Sequence, residues 1–192
     1  MARFRSAAAA SGAEENSEQR RQSGAPADPV QRARDYCLRL LTARPRTRAE
    51  LDQALVRREV DPEIIEQVLG RLDEVGLIDD QAFADMWVRS RHTHQGLGRR
   101  ALLEELRRKG VAADVANEAA QSLDRDAEEE RARQLVQRKL SASAGADERT
   151  RIRRLVAMLA RKGYPQGLAF QVVREELANE GTDGELLDEL HD

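Results

Sequence analysis

Leu51 and Leu55 stand four residues apart, and the same apolar pair returns as Leu102 and Leu106 and again as Leu155 and Leu159. A basic stretch follows each pair: Arg57-Arg58, then Arg108-Lys109-Gly110, then Arg161-Lys162-Gly163. A second apolar quartet then comes at matching offsets. It reads Ile64, Ile65, Val68 and Leu69; then Val115, Ala116, Ala119 and Ala120; then Leu168, Ala169, Val172 and Val173. Spacings of three and four place each set on one face of a helix. Recurrence at a period of about fifty residues points to stacked helical units, each unable to bury its apolar face alone.

Local signals mark where the helices begin and end. Asp28-Pro29 and Asp61-Pro62 pair a capping carboxylate with proline at the first helical position. Thr47 with Glu50 has the spacing of a capping box, and Gly76 suits a left-handed helix stop. Helices are predicted from Pro29 to about Ala43, from Thr47 through Leu55, and over Glu63–Val75. In the second unit Phe83, Met86, Trp87 and Ser90 fall on one predicted stripe, and Gly96 and Gly98 break that helix. Shorter helices follow over Leu102–Lys109 and Ala113–Leu123, then longer ones over Asp124–Leu140, Glu148–Lys162 and from Tyr164-Pro165 to about Asn179. No apolar-polar alternation argues for a sheet. The fold class expected is all-α: an elongated, curved array of three tandem three-helix repeats.

The expected organisation is a disordered extension over 1–27, repeats over 28–76, 77–123 and 124–179, and an acidic tail over 180–192. The extension has almost no large apolar side chains to offset the entropy of ordering. Ser141–Ala146 reads as a link. The tail is expected to fray, although Leu186, Leu187 and Leu190 could dock on a neighbour.

With 35% charged and 3% aromatic residues, the core must be built mainly from Leu, Val, Ile and Ala. The single cysteine, Cys37, excludes an intrachain disulfide and shares helical spacing with Ala33, Leu40 and Leu41, as a buried inert thiol would. No apolar run approaches the roughly 20 residues that span a bilayer. Ala7 to Ala10 is too short for a secretory core. A reducing cytoplasm and a monomer are expected.

The net charge of −3 hides an alternation in phase with the repeat. Residues 29–58, 86–112 and 131–173 carry +5, +5 and +8, whereas 59–85, 113–130 and 174–192 carry −8, −6 and −7. The first two helices of each unit therefore tend to be basic and the third acidic. Stacking would align the basic helices into a stripe suited to phosphates or an acidic protein groove. The competing explanation is that basic and acidic helices of adjacent units pair with each other. The acidic third helices disfavour sequence-specific reading of the major groove.

Candidate chemistry elsewhere is thin. His92 and His94 have no Cys, Asp or Glu at metal-ligand spacing and read as exposed helix-end histidines. Gly96-Leu97-Gly98 lacks the strand and third glycine of a dinucleotide site. Trp87 and Phe83 read as core rather than a base-stacking platform. Neither an enzyme, a metal site nor a cofactor is supported.

Gly76-Leu77-Ile78-Asp79-Asp80, followed by Phe83-Ala84, Trp87-Val88 and Arg91, resembles the RecX family of bacterial regulatory proteins. The likeness continues through Gly98, Leu102, Glu105-Leu106 and Lys109-Gly110-Val111, and covers roughly residues 30–178. Glu59 departs from the pattern, since the other two units have glycine there. The resemblance implies a curved protein that lodges in the groove of the RecA–DNA filament. It would inhibit the recombinase's ATPase and strand exchange, and so regulate DNA repair, recombination and the SOS response. It also implies weak binding to single- and double-stranded DNA. A sequence-independent DNA binder acting through the basic stripe is the alternative. Filament or DNA contacts are expected from Arg89, Arg91, Arg99, Arg100, Arg107, Arg108 and Lys109, continued by Arg153, Arg154, Arg161 and Lys162.

Overall fold

The computed structural model describes residues 28–140 and 147–180. The expectations for 1–27, the 141–146 link and the tail beyond Glu180 lie outside the described residues. Unit one comprises α1 (Pro29–Ala43), α2 (Arg48–Val56) and α3 (Pro62–Glu74). Unit two comprises α4 (Asp80–Gln95), α5 (Arg99–Arg108) and α6 (Ala113–Gln121). Unit three comprises α7 (Arg125–Leu140), α8 (Glu148–Arg161) and α9 (Gln166–Asn179). The chain thus forms the all-α array of three-helix units that its recurrence implies.

Short-range chemistry fixes the helix ends. Asp28, Thr47, Asp61, Asp79 and Asp147 each accept a first-turn backbone N–H, satisfying donors that the helix leaves unpaired. Only half of the capping box forms, because the Glu50 side chain turns to Arg44 and Lys109 instead. Gly76 and Gly96 close α3 and α4 at φ +69° and +62°.

Each unit has its own apolar core. Leu51, Leu55, Ile65, Val68, Leu69 and Leu72 fill the first with Ala33 and Cys37. Phe83, Ala84, Val88, Leu102 and Leu106 fill the second, and Ile152, Leu155, Leu159, Val172, Val173 and Leu177 the third. Burying a side chain of this size contributes roughly 1.5–3 kcal/mol. Burial also pushes the Cys37 thiol up to about 11, so it stays protonated and inert.

Two expectations in unit two are corrected. The buried stripe of α4 runs through Phe83, Ala84, Val88 and His92, while Met86 and Ser90 face solvent and Trp87 is half-buried. His92 is buried rather than exposed, and its Nδ1 lies 2.9 Å from the Leu97 carbonyl oxygen. His94 is exposed.

The units meet through backbone and polar groups at two related joints. At the first, the Thr47 hydroxyl donates to the Lys109 carbonyl (2.7 Å) and the Arg48 N–H donates to Asp80 (2.9 Å). Lys109 Nζ also pairs with Glu50 at 2.9 Å. At the second, the Gly98 and Arg100 N–H groups donate to the Lys162 and Gly163 carbonyls at 2.8 and 3.3 Å. There Glu128 accepts from the Arg99 N–H at 2.8 Å, and Lys162 Nζ donates to the Gln95 carbonyl at 2.6 Å. At both joints the turn after one unit's second helix meets the N-terminus of the preceding unit's second helix. Carbonyl-rich helix ends therefore face amide-rich ones, which is the favourable sense of the helix dipole. In this way α8, α5 and α2 follow one another end to end.

Glycine at these turns is a requirement of contact as well as of backbone angle. A Cβ on Gly110 (φ +76°) would lie 2.3 Å from Ala49 Cβ, and one on Gly163 (φ +87°) 2.3 Å from the Ala101 nitrogen. At the corresponding turn of unit one Glu59 takes the position, at φ 56°. Glu59→Gly should relieve about 1 kcal/mol of left-handed strain. Thermal unfolding should then shift upward by about 2–4 °C.

Glu50 gives the first joint a pH dependence. Burial raises its pKa, but hydrogen bonds from Arg44 and Lys109 outweigh burial and hold it below the usual value. Its stabilisation is therefore complete above the ordinary carboxylate range and is lost as pH falls through the lowered value. Asp80 has the opposite sign: burial, against the Arg48 N–H, raises its pKa. Its contribution declines as pH rises through that value. Urea unfolding of wild type and Glu50→Gln across this range should show a shallower acid-side loss in the variant.

Candidate functional site

The eleven basic residues expected to make contacts divide into two groups. Arg91, Arg99, Lys109 and Lys162 serve the fold. The Arg91 guanidinium lies 4.1 Å from the Trp87 ring centroid and 3.5 Å from Glu105. Arg99 donates to the Leu123 carbonyl at 2.8 Å. Lys109 sits 4.1 Å from the Trp87 ring centroid while pairing across the first joint with Glu50. Lys162 is committed to the second joint, where burial and then Arg131 lower its pKa. Trp87 itself donates to Glu105 at 2.8 Å and stacks on Phe83, so its ring is already engaged.

Arg89, Arg100, Arg107, Arg108, Arg153, Arg154 and Arg161 are exposed, and none makes a side-chain ion pair among the described residues. Arg153, Arg154 and Arg161 line one shallow groove on α8 with Thr150 and Ala157. Arg161 also lines the adjoining groove where α8 meets α5, opposite Arg100 and over Val156, Tyr164 and Phe170. Glu104 is the one carboxylate among the residues lining that second groove. Arg107 and Arg108 occupy the same exposed face of α5 as Arg100, about 10 Å further along at 1.5 Å per residue.

The end-to-end succession of second helices thus joins these arginines into one track over units two and three. Arg89, on α4, lies outside both groove linings. In unit one the matching face is Ala49, Gln53, Val56 and Arg57, so the charge fades toward that end. Arg57 is exposed at the offset of Arg108 and Arg161 and continues the track, a position the recurrence already marked.

Other charged groups are consumed internally. Arg133 is held by Glu129, Glu130 and Glu175 and lies 3.4 Å from the buried Glu176. Those carboxylates, Glu175 first, raise its pKa. Among the described residues no cluster of His, Cys, Asp and Glu could hold a metal ion, and no helix is long and apolar enough to cross a membrane.

The chain matches the RecX first three-helix domain over residues 33–72, the second over 79–119 and the third over 126–173. It is 56% identical over 162 residues to Regulatory protein RecX of Streptomyces coelicolor, covering 84% of this chain and 86% of that protein. It is 51% identical over 164 residues to Regulatory protein RecX of Amycolatopsis mediterranei, covering 85% and 94%. The crystal structure of RecX from Lactobacillus salivarius shares the fold at 20% identity, with a TM-score of 0.73 over 78% of this chain and 97% of that one. With its three domains matched in order and half its residues or more shared over most of its length, the chain belongs to the RecX family.

Proposed function

We propose that this non-enzymatic regulatory protein binds the RecA–DNA filament as a cytoplasmic monomer. It lays the arginine track of units two and three in the filament groove and so inhibits ATP hydrolysis and strand exchange. The observation that carries the reading is the run of exposed arginines along the joined faces of α8 and α5, none of which makes a side-chain ion pair among the described residues. Guanidinium groups suit this role because they remain charged and grip phosphate or carboxylate oxygens in pairs. Arg91, Arg99, Lys109 and Lys162 support the surface from behind by holding the joints and the Trp87 cluster.

The test is a titration of the protein into a RecA–DNA ATPase assay. Falling hydrolysis at ratios below one per recombinase monomer is the expected result, and unchanged hydrolysis at every ratio would sink the reading. The same arginines could serve direct, sequence-independent binding to DNA. Bare oligonucleotides titrated over a salt series separate the two readings. Tight binding whose log affinity falls against log salt with a slope of about 0.7 per phosphate contact on single strands would favour the DNA-binding reading.

A further inference from the structure

The two joints follow one plan but are not equally strong, and the difference begins at one capping position. Thr47 caps α2 and Gly98 caps α5, each facing the turn after the next unit's second helix. Gly98 has no side chain, so its backbone comes close enough to give its N–H to the Lys162 carbonyl, and the Arg100 N–H follows to Gly163. A Cβ at Gly98 would stand 2.9 Å from the Gly163 carbonyl oxygen. Thr47 carries that Cβ, and there the hydroxyl rather than the backbone reaches the Lys109 carbonyl. Apart from the connecting turn at Leu77 and Ile78, no backbone-to-backbone hydrogen bond links units one and two among the described residues.

The ends of the first helices differ in the same sense. The last carbonyls of α4 receive their donors from unit three: Arg131 donates to Thr93, Lys162 to Gln95, and the buried Tyr164 hydroxyl to Gly96 at 3.2 Å. Satisfying carbonyls that a helix leaves unpaired ties α4 into unit three. At the end of α1 the Leu40 carbonyl is taken instead by the Arg44 N–H and Arg46 Nε of unit one itself. Tyr164 has Val111 as its counterpart in unit two, a side chain with no donor. Beyond Thr47, the first joint keeps the Arg48 N–H on Asp80 and Lys109 on Glu50. Both rest on carboxylates, and the Lys109–Glu50 pair is weakened by salt.

We infer that the first joint is a hinge: unit one swings about the Thr47–Lys109 contact, while units two and three move as one body. The arginines of α5 and α8 then keep a fixed spacing whatever unit one does. Unit one is free to adjust to what lies beside it once the track is seated. The hinge rests on the two joints alone; only the seating rests on the function proposed above.

Native-state hydrogen exchange of the full-length protein reads each joint through amides whose partner lies across it. The Arg48 N–H reports the first joint, and those of Gly98, Arg99 and Arg100 report the second. Protection at Arg48 should be lower than at the other three by on the order of 10- to 100-fold. It should also be lower than at Leu55, buried inside α2, because the hinge opens without unfolding unit one. Protection at Arg48 equal to that of the second-joint amides, or exchange of Arg48 only together with Leu55, would overturn the hinge. Spin labels at the exposed positions Gln67 on α3, Asn117 on α6 and Gln137 on α7 give a second readout. Cys37 is buried and its thiol stays protonated, so it escapes labelling. The distance distribution of Q67C/N117C should be about twice as broad as that of N117C/Q137C. A first distribution no broader than the second would also overturn the inference. Failure to inhibit RecA would leave both readouts unchanged and so count only against the proposed function.

Discussion

Replacing Gly163 with alanine should destabilise the protein by about 3 kcal/mol and loosen the third unit from the second. The residue sits at φ +87°, where an L side chain costs roughly 1–2 kcal/mol. The new methyl would lie 2.3 Å from the Ala101 nitrogen, and relieving such crowding costs a further ~1–3 kcal/mol. The neighbouring atom is backbone at the start of α5, so it cannot swing aside as a side chain would. Moving it strains the Gly98 and Arg100 hydrogen bonds that join the units. At about 2–4 °C per kcal/mol, the thermal midpoint should fall by roughly 6–12 °C. Gly70→Ala is the control: Gly70 lies inside α3 with nothing within 4 Å of where an alanine methyl would stand, and the change should stabilise by up to ~1 kcal/mol. Equal midpoints for the two variants would refute the role given to the joint.

Reversing Arg153, Arg154 and Arg161 together to glutamate should raise the concentration needed for half-inhibition of the RecA ATPase by on the order of 100-fold. Each change removes a cation and adds an anion on one face of α8, so the effect exceeds that of neutralisation. On single-stranded DNA the salt slope should shrink by about 2, from three lost contacts at about 0.7 each. Far-UV circular dichroism should stay unchanged, since these side chains make no ion pair among the described residues. Arg71→Glu, on the acidic face of α3, should leave inhibition as it was. Full inhibition by the triple variant would remove α8 from the contact surface.

Much of this architecture was legible in the sequence because it is local. The Leu pairs, the Asp and Thr caps and the helix-closing glycines each act within one or two turns. The α4 stripe was not, for a reason of size. Met86 looks more apolar than Ala84, yet the core that α4 shares with α6 also takes Ala116 and Ala119, and small residues admit close helix approach. His92 became buried once the Leu97 carbonyl could partner its ring. The candidate site was legible as a charge pattern but not in its division. Lys109 and Lys162 look like any other cations in sequence. Their commitment to the joints depends on Glu50 and the Gln95 carbonyl, far away along the chain. The glycine following each lysine was the available sign, and Glu59 stands in its place after Arg58, at a turn that makes no inter-unit joint among the described residues.

Glu59 accordingly decides in which direction such a protein can lengthen. It carries a Cβ where Gly110 and Gly163 have none because a neighbouring unit's helix start is packed against them, and Pro29 stands at the offset where Asp80 offers a carboxylate to the neighbouring helix. The leading turn of unit one therefore lacks the glycine that both inter-unit joints use, and an end-to-end contact of the kind seen at those joints would meet a side chain there. Grafting an extra module ahead of residue 28 would require glycine at 59 and an acid at 29 before the two could interlock.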